Sequence, residues 1–202
     1  VRTYTYGFYN SYFKGYGKHN TWGNYFSGQG LNDDFAPLKP VEFTINVPTS
    51  GGGWSGTPSN LPTSASTPFG RIRKANHFIA SVPLANMSDE AKNHWSGVGR
   101  FFRALEYSNF VNTFGDVPYI DKIVYDNSEV STLARTPIAE VKNKILEDFN
   151  YAFEKLPAKT TVLGRAAKPA ALAFRGKLNL YWASWNNFGW PELTTFTPST
   201  TE

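Results

Sequence analysis

The residues able to carry chemistry are few and poorly grouped. Three histidines, His19, His77 and His94, are spread along a chain of 202 residues, and none lies three or four positions from another as a helical metal pair requires. That spacing argues against a zinc hydrolase. Cysteine is absent, which removes disulfides, thiolate nucleophiles and Cys-based zinc sites, though not metal sites built from oxygen ligands. The Gly-rich run from Gly51 to Gly56 reads GGGWSG and lacks the spacing of a nucleophile elbow. The run GYG at Gly15 to Gly17 lacks the third glycine of a dinucleotide fingerprint, and no Walker-type phosphate loop occurs.

Carboxylates are no better placed. Asp33 and Asp34 are adjacent, so in an extended segment they point to opposite faces and cannot serve jointly as acid and base; turn formation and capping are the simpler roles. A calcium role lacks the ligand spacing of a helix-loop-helix site. Asp116, Asp121, Asp126 and Glu129 gather on one connection and read as solvated loop charge. Arg71, Arg73 and Lys74 share a helix side opposite an apolar face and read as a solvated surface rather than a phosphate contact. The net charge of +4 is mild and spread out, unlike the dense basic stripe of a nucleic-acid binder. Aromatic rings remain: six Trp, eleven Tyr and sixteen Phe, with ten of them crowded into the first 26 positions. Rings held by loops can stack on sugars or peptide side chains, although most rings in a segment short of aliphatics must serve to bury area.

The elements that hold these residues divide the chain. Charged residues are 18% and hydrophobic residues 41%, enough for a packed core in one domain or part of one. No run reaches the roughly 18 to 20 apolar residues of a membrane-spanning helix. Residues 1–67 read as a loop-rich aromatic segment in which long helices are not expected, with a Gly, Ser, Thr and Pro-rich stretch from Pro48 to Pro68. Residues 68–186 read as four helices in two pairs, and 187–202 as an irregular tail.

The first helix begins at Thr67-Pro68, carries Phe69, Ile72, Ala75, Ile79 and Val82 at spacings of three and four, and stops at Pro83. The second runs from Ser88, with Asp89 and Glu90 in its first turn, to Gly115. It has apolar residues on two sides, so it is expected inside a stack, with Gly97 and Gly99 weakening its middle. The third opens at Thr136-Pro137, places Ile138, Val141, Ile145, Phe149, Ala152 and Leu156 on one face, and closes at Pro157. The fourth, from Lys168-Pro169 to about Trp185, presents Ala171, Phe174, Leu178, Tyr181, Trp182 and Trp185. Such pairs are like units of a tetratricopeptide solenoid, without a strict 34-residue period because the connection from Gly115 to Arg135 intervenes.

Three stretches together resemble the SusD/RagB family of outer-membrane nutrient-binding lipoproteins. FGRIRKANHFIASV (Phe69 to Val82) is similar to the family's first repeat helix, with Ile72, Ala75 and Asn76 in place. GRFFRALEYSNFVNTFGDVPYI (Gly99 to Ile120) resembles its arginine-alanine helix running into a Gly-Asp-Val-Pro turn, through Arg103, Ala104, Tyr107, Phe114, Gly115, Asp116, Val117 and Pro118. Arg135-Thr136-Pro137 with Glu140, Val141, Ile145, Asp148, Leu156 and Pro157 resembles the next opening helix, and Gly164 to Trp185 its partner. GLNDDFAP (Gly30 to Pro37) also fits.

The resemblance implies a mainly α fold of tetratricopeptide-like, SusD-like helix pairs with a long irregular aromatic-rich N-terminal segment. It implies a surface-exposed outer-membrane lipoprotein without catalysis or cofactor, which captures oligosaccharides and delivers them to a SusC-like TonB-dependent transporter barrel. Under that reading Tyr16, Trp22 and Trp54 are the candidate ligand-stacking rings. Asn76 and Arg103 are expected to satisfy buried polar groups between helices, and Gly115 to Pro118 to reverse the chain. Family chains are well over twice this length and carry a lipid-bearing N-terminal cysteine, so the sequence is expected to be an incomplete SusD-like domain whose anchor lies outside it. The alternatives are peptide cargo on the same fold, or a repeat scaffold for protein partners without a small-molecule site.

Overall fold

The computed structural model describes residues 1–12 and 68–188. Its elements are α1 (Arg2–Tyr12), α2 (Pro68–Ser81), a single 3-10 turn (Val82–Leu84), α3 (Asp89–Phe114), α4 (Asn127–Ser131), α5 (Ile138–Lys155) and α6 (Lys168–Phe188). Helices α2 and α3 form one antiparallel pair, α5 and α6 the next, and α3 packs on α5 between them. The mainly α architecture of two helix pairs is as the periodicity predicts.

Helix α3 is the centre of the stack. Every residue from Phe101 to Leu105 and on to Ser108 is buried, because α1 and α2 cover one side and α5 the other. Its start is set as the sequence dictates: the Ser88 hydroxyl accepts from the Ala91 N–H at 3.3 Å, with Asp89 and Glu90 in the first turn. Its end is Gly115, at φ 67° and ψ −119°, a conformation that L side chains rarely adopt. The glycine at position 99, expected only to weaken the helix, has a packing role. A Cβ there would stand 2.8 Å from Ile79 Cγ1 and 3.0 Å from Phe78 Cδ1, so its bare backbone lets α2 come close.

Two expectations are corrected. The segment 1–67 does not begin irregularly, since α1 is a helix of eleven residues. Its sequence, RTYTYGFYNSY, has poor intrinsic helix propensity, but tertiary burial overrides propensity in short helices. Thr5 and Phe8 are buried, Phe8 lies 5.4 Å from both Phe78 and Phe102 by ring centroids, and Tyr9 meets Phe102 edge-on at 4.7 Å. Nor is the basic side of α2 simply solvated. Arg71 Nε donates to Glu106 Oε1 at 2.5 Å with both side chains largely buried, and Lys74 lies over the rings of Tyr4 and Phe8 at 5.1 and 5.4 Å.

The connection after α3 is a scaffold as well as a linker. Val117 and Thr136 exchange both backbone hydrogen bonds across an antiparallel bridge, at 3.2 and 2.9 Å. The Asp116 carboxylate accepts from the Ile138 N–H at 2.7 Å and so caps α5, while Thr136, expected to open that helix, serves the bridge. Asp126 caps α4 through Ser128, and Glu129 pairs with Lys122, so these acids, read from the sequence as solvated charge, have local structural partners.

A polar node binds the layers together. Arg103 is only 5% exposed and reaches two other helices. Its guanidinium donates to Asp148 on α5 through Nε at 2.7 Å and Nη2 at 2.8 Å, and through Nη1 to Asn76 on α2 at 3.0 Å. Asn76 Nδ2 in turn donates to the carbonyls of Ile120 and Lys122 at 2.8 and 3.1 Å. Both residues thus satisfy buried polar groups between helices, as expected of them. Burial opposes the charged guanidinium, yet the Asp148 carboxylate outweighs it and raises the pKa of Arg103 above its ordinary value.

Candidate ligand-binding cleft

Rings and cations meet where α1, the start of α3 and the α5–α6 loop converge. Pro157 ends α5, and the loop that follows returns so that the Lys168 N–H donates to the Pro157 carbonyl at 2.9 Å. Gly164 turns the chain at φ 79°, which places Arg165 against α1. There the Arg165 guanidinium lies over Tyr6 at 4.4 Å and Tyr9 at 4.7 Å, and the Tyr9 hydroxyl accepts from the Ala166 N–H at 2.8 Å. A loop with no regular structure is thereby held by a charge on two ring faces and one hydrogen bond.

The cleft enclosed between these elements has a volume of about 280 Å³. Trp95 and His94, edge to face at 4.8 Å, form its opposite wall, and Thr5, Thr160 and Thr161 contribute hydroxyls. Arg2, Lys159 and Arg165 also line it, with no carboxylate among the described lining residues. A second cavity of about 490 Å³ shares Trp95, His94 and Pro157 with the first and carries Glu90, Glu154 and Lys168. The indole therefore stands between two adjoining hollows. Burial lowers the pKa of His94, so its imidazole is neutral at pH 7. Burial likewise raises that of Tyr9, against the opposing effects of the Ala166 hydrogen bond and Arg165, so its phenol stays protonated.

This chemistry suits recognition. Flat rings and hydroxyls can stack and hydrogen-bond to a polyhydroxylated or planar ligand. Among the described residues no three His, Cys, Asp or Glu side chains are grouped to hold a metal. The rings proposed from sequence, Tyr16, Trp22 and Trp54, lie outside the described residues. Sequence reasoning passed over Tyr6, Tyr9, Trp95 and Arg165. Trp95 gave one signal, a large ring in the first part of α3, before the stripe that begins at Phe101. Arg165 gave none, because its partners are more than 150 positions away, as the Tyr9 to Ala166 hydrogen bond shows.

Comparison with known proteins agrees with the helix stack. A SusD-like family described as starch-binding and associating with the outer membrane matches residues 54–180. SusD-like protein P2 of Formosa agariphila is 35% identical over 109 residues, which is 54% of this chain and 22% of that protein. A crystal structure of a SusD-like protein from Bacteroides fragilis aligns with a TM-score of 0.54 at 31% identity, over 59% of this chain and 24% of that one. A SusD-like carbohydrate-binding protein, also from Bacteroides fragilis, aligns at 0.52 and 27% identity, over 58% and 23%. The chain spans about a fifth to a quarter of the length of each of these relatives.

Proposed function

The chain belongs to the SusD-like family, and from that membership we propose that it captures oligosaccharides at the bacterial cell surface and passes them to a SusC-like TonB-dependent transporter barrel. The protein acts by binding and handover, breaks no bond in its cargo, and is held at the outer membrane by an N-terminal lipid. Residues 1–67, 68–186 and 187–202 belong to one SusD-like domain, in which the helix pairs hold the binding segments in place. Holding them rigid reduces the ordering entropy lost when a flexible sugar binds.

The observation that carries this reading is the family match over residues 54–180, which spans α2, α3, α4, α5 and part of α6. The cleft walled by Tyr6, Tyr9 and Trp95 supports it, because ring faces beside hydroxyls and cations are the chemistry that sugar faces and their hydroxyls require. Tyr16, Trp22 and Trp54 are retained as further stacking rings.

The test is affinity electrophoresis and calorimetry of the protein against starch, other polysaccharides and a set of oligopeptides, together with gentle detergent extraction from the native membrane. Retention by at least one polysaccharide and co-extraction of a large β-barrel are expected. Trp95→Ala should weaken sugar binding while leaving the helical signal intact. Binding of peptides alone would replace the glycan reading with peptide cargo. Unchanged sugar binding in Tyr16→Ala, Trp22→Ala and Trp54→Ala would remove those three rings from the site.

A further inference from the structure

The cleft has a charge pattern that a neutral sugar does not need. Among the described residues its walls include three cations, Arg2, Lys159 and Arg165, and no carboxylate. Five other cations among the described residues pair with a carboxylate: Arg71 with Glu106, Arg100 and Arg103 with Asp148, Lys122 with Glu129, and Lys144 with Glu147. Arg165 instead spends its planar face on Tyr6 and Tyr9. Besides its side-chain hydrogen bond with Tyr9, a guanidinium stacked by its face has further edge N–H groups to offer an anion, and their fork matches a carboxylate or sulfate. The lip of the cleft adds solvent-facing charge, since Arg2 and Lys159 are exposed. A concave site lined by one sign of charge raises the local concentration of ligands of the other sign.

Resting on the glycan-capture reading, we infer that this cleft binds acidic saccharides, with the anionic group of a uronate or sulfated sugar on the edge of Arg165 and its ring face against Trp95. Neutral His94 and Thr161 meet the remaining sugar hydroxyls, with Thr5 and Thr160 serving as acceptors because their own hydroxyls donate to the Arg2 and Val162 carbonyls. The adjoining cavity, where Glu90 and Glu154 balance Lys155 and Lys168, takes the next residue of the chain without the same demand for charge. Trp95, common to both hollows, is the ring over which an oligosaccharide would pass from one to the other.

The experiment titrates the full chain with tetragalacturonate and with neutral galactotetraose, at low and at high salt. The acidic ligand should bind about tenfold more tightly at low salt, and the advantage should shrink as salt screens the exposed cations. Arg165→Gln should bring the acidic ligand to the level of the neutral one. Because Arg165 also holds the loop, Lys159→Gln at an exposed position serves as the second variant, and it should lower only the acidic affinity. Equal affinity for the two ligands in the wild-type chain overturns the acidic preference and leaves glycan capture standing. Preference for the acid that survives both substitutions overturns the assignment to this cleft. A folded chain that binds neither these sugars nor any polysaccharide of the panel overturns the glycan reading itself.

Discussion

Asp148 on α5 takes both edge N–H groups of Arg103 on α3, at 2.7 and 2.8 Å, and accepts a third hydrogen bond from Arg100 at 3.2 Å. Asp148 and Arg103 are buried, so this pair is shielded from water, while Arg100 reaches the surface. Removing one member of a buried pair strands a charge, and this typically costs about 3–5 kcal/mol, whereas replacing both by apolar residues of similar volume is often near neutral. Asp148→Ala should therefore lower the urea midpoint far more than the double variant Arg103→Met with Asp148→Leu. Equal losses in the two would mean that the pair is not the element joining these helices.

The Tyr107 hydroxyl accepts from the Ile120 N–H at 2.6 Å and donates to its carbonyl at 3.2 Å. Tyr107→Phe leaves both backbone groups without that partner and should cost about 1–3 kcal/mol in chemical denaturation.

Alkaline pH should act on the same residue. Burial raises the pKa of Tyr107 well above the 10.0 of a free phenol, and burial followed by the charge of Glu106 pushes Tyr12 up to about 12. The unfolded chain loses these protons near pH 10 while the folded chain keeps them. Stability from these phenols is thus complete below pH 10 and is lost as pH rises through the folded values. For Tyr107 the slope is about 1.4 kcal/mol per pH unit. Urea midpoints at pH 9 and pH 11 measure it, and Tyr107→Phe should flatten the fall.

At Gly115 nothing lies within 4 Å of the place a Cβ would take, so Gly115→Ala isolates backbone strain at φ 67° and should cost about 1–3 kcal/mol. Next to it, Asp116→Ala removes the cap on Ile138 and should cost about 1 kcal/mol. Thermal midpoints of the two single variants should show the glycine change as the larger.

Gly99→Ala tests close packing in place of strain. Its new methyl would meet Ile79 and Phe78 at 2.8 and 3.0 Å, and overpacking of this kind costs about 1–3 kcal/mol, in spite of the better helix propensity of alanine. A stabilised Gly99→Ala protein would show that α2 can move away without loss.

Where helices carried their own punctuation, the sequence was enough. Ser88 with Asp89 and Glu90, Gly115 and Pro157 each mark a boundary that the structure keeps, and the apolar spacing of Val141, Ile145, Phe149 and Ala152 is the buried face of α5. Local signals failed where distant residues decide. Helix α1 exists because Phe78 and Phe102 offer its rings a surface, and the Arg71–Glu106 pair joins positions 35 apart. The cleft was harder still to read, since its walls come from three separated stretches, at 2–9, 94–98 and 157–166, and no single stretch carries its pattern. Asn76 and Arg103 were anticipated through the family resemblance, as polar residues between helices that need partners.

The hydrogen bond from the Ala166 N–H to the Tyr9 hydroxyl spans 157 positions, and this has a consequence for the order of assembly. A ribosome makes α1 before the other described helices, yet its polar latch does not exist until the α5–α6 loop has been made. Contacts of such long sequence separation pay a large loop-closure cost and slow folding. Among the described helices, α1 can therefore pack its rings on Phe78 and Phe102 once α2 and α3 are in place, but its seating is completed only after the α5–α6 loop arrives, which divides its docking into an early apolar step and a late polar one.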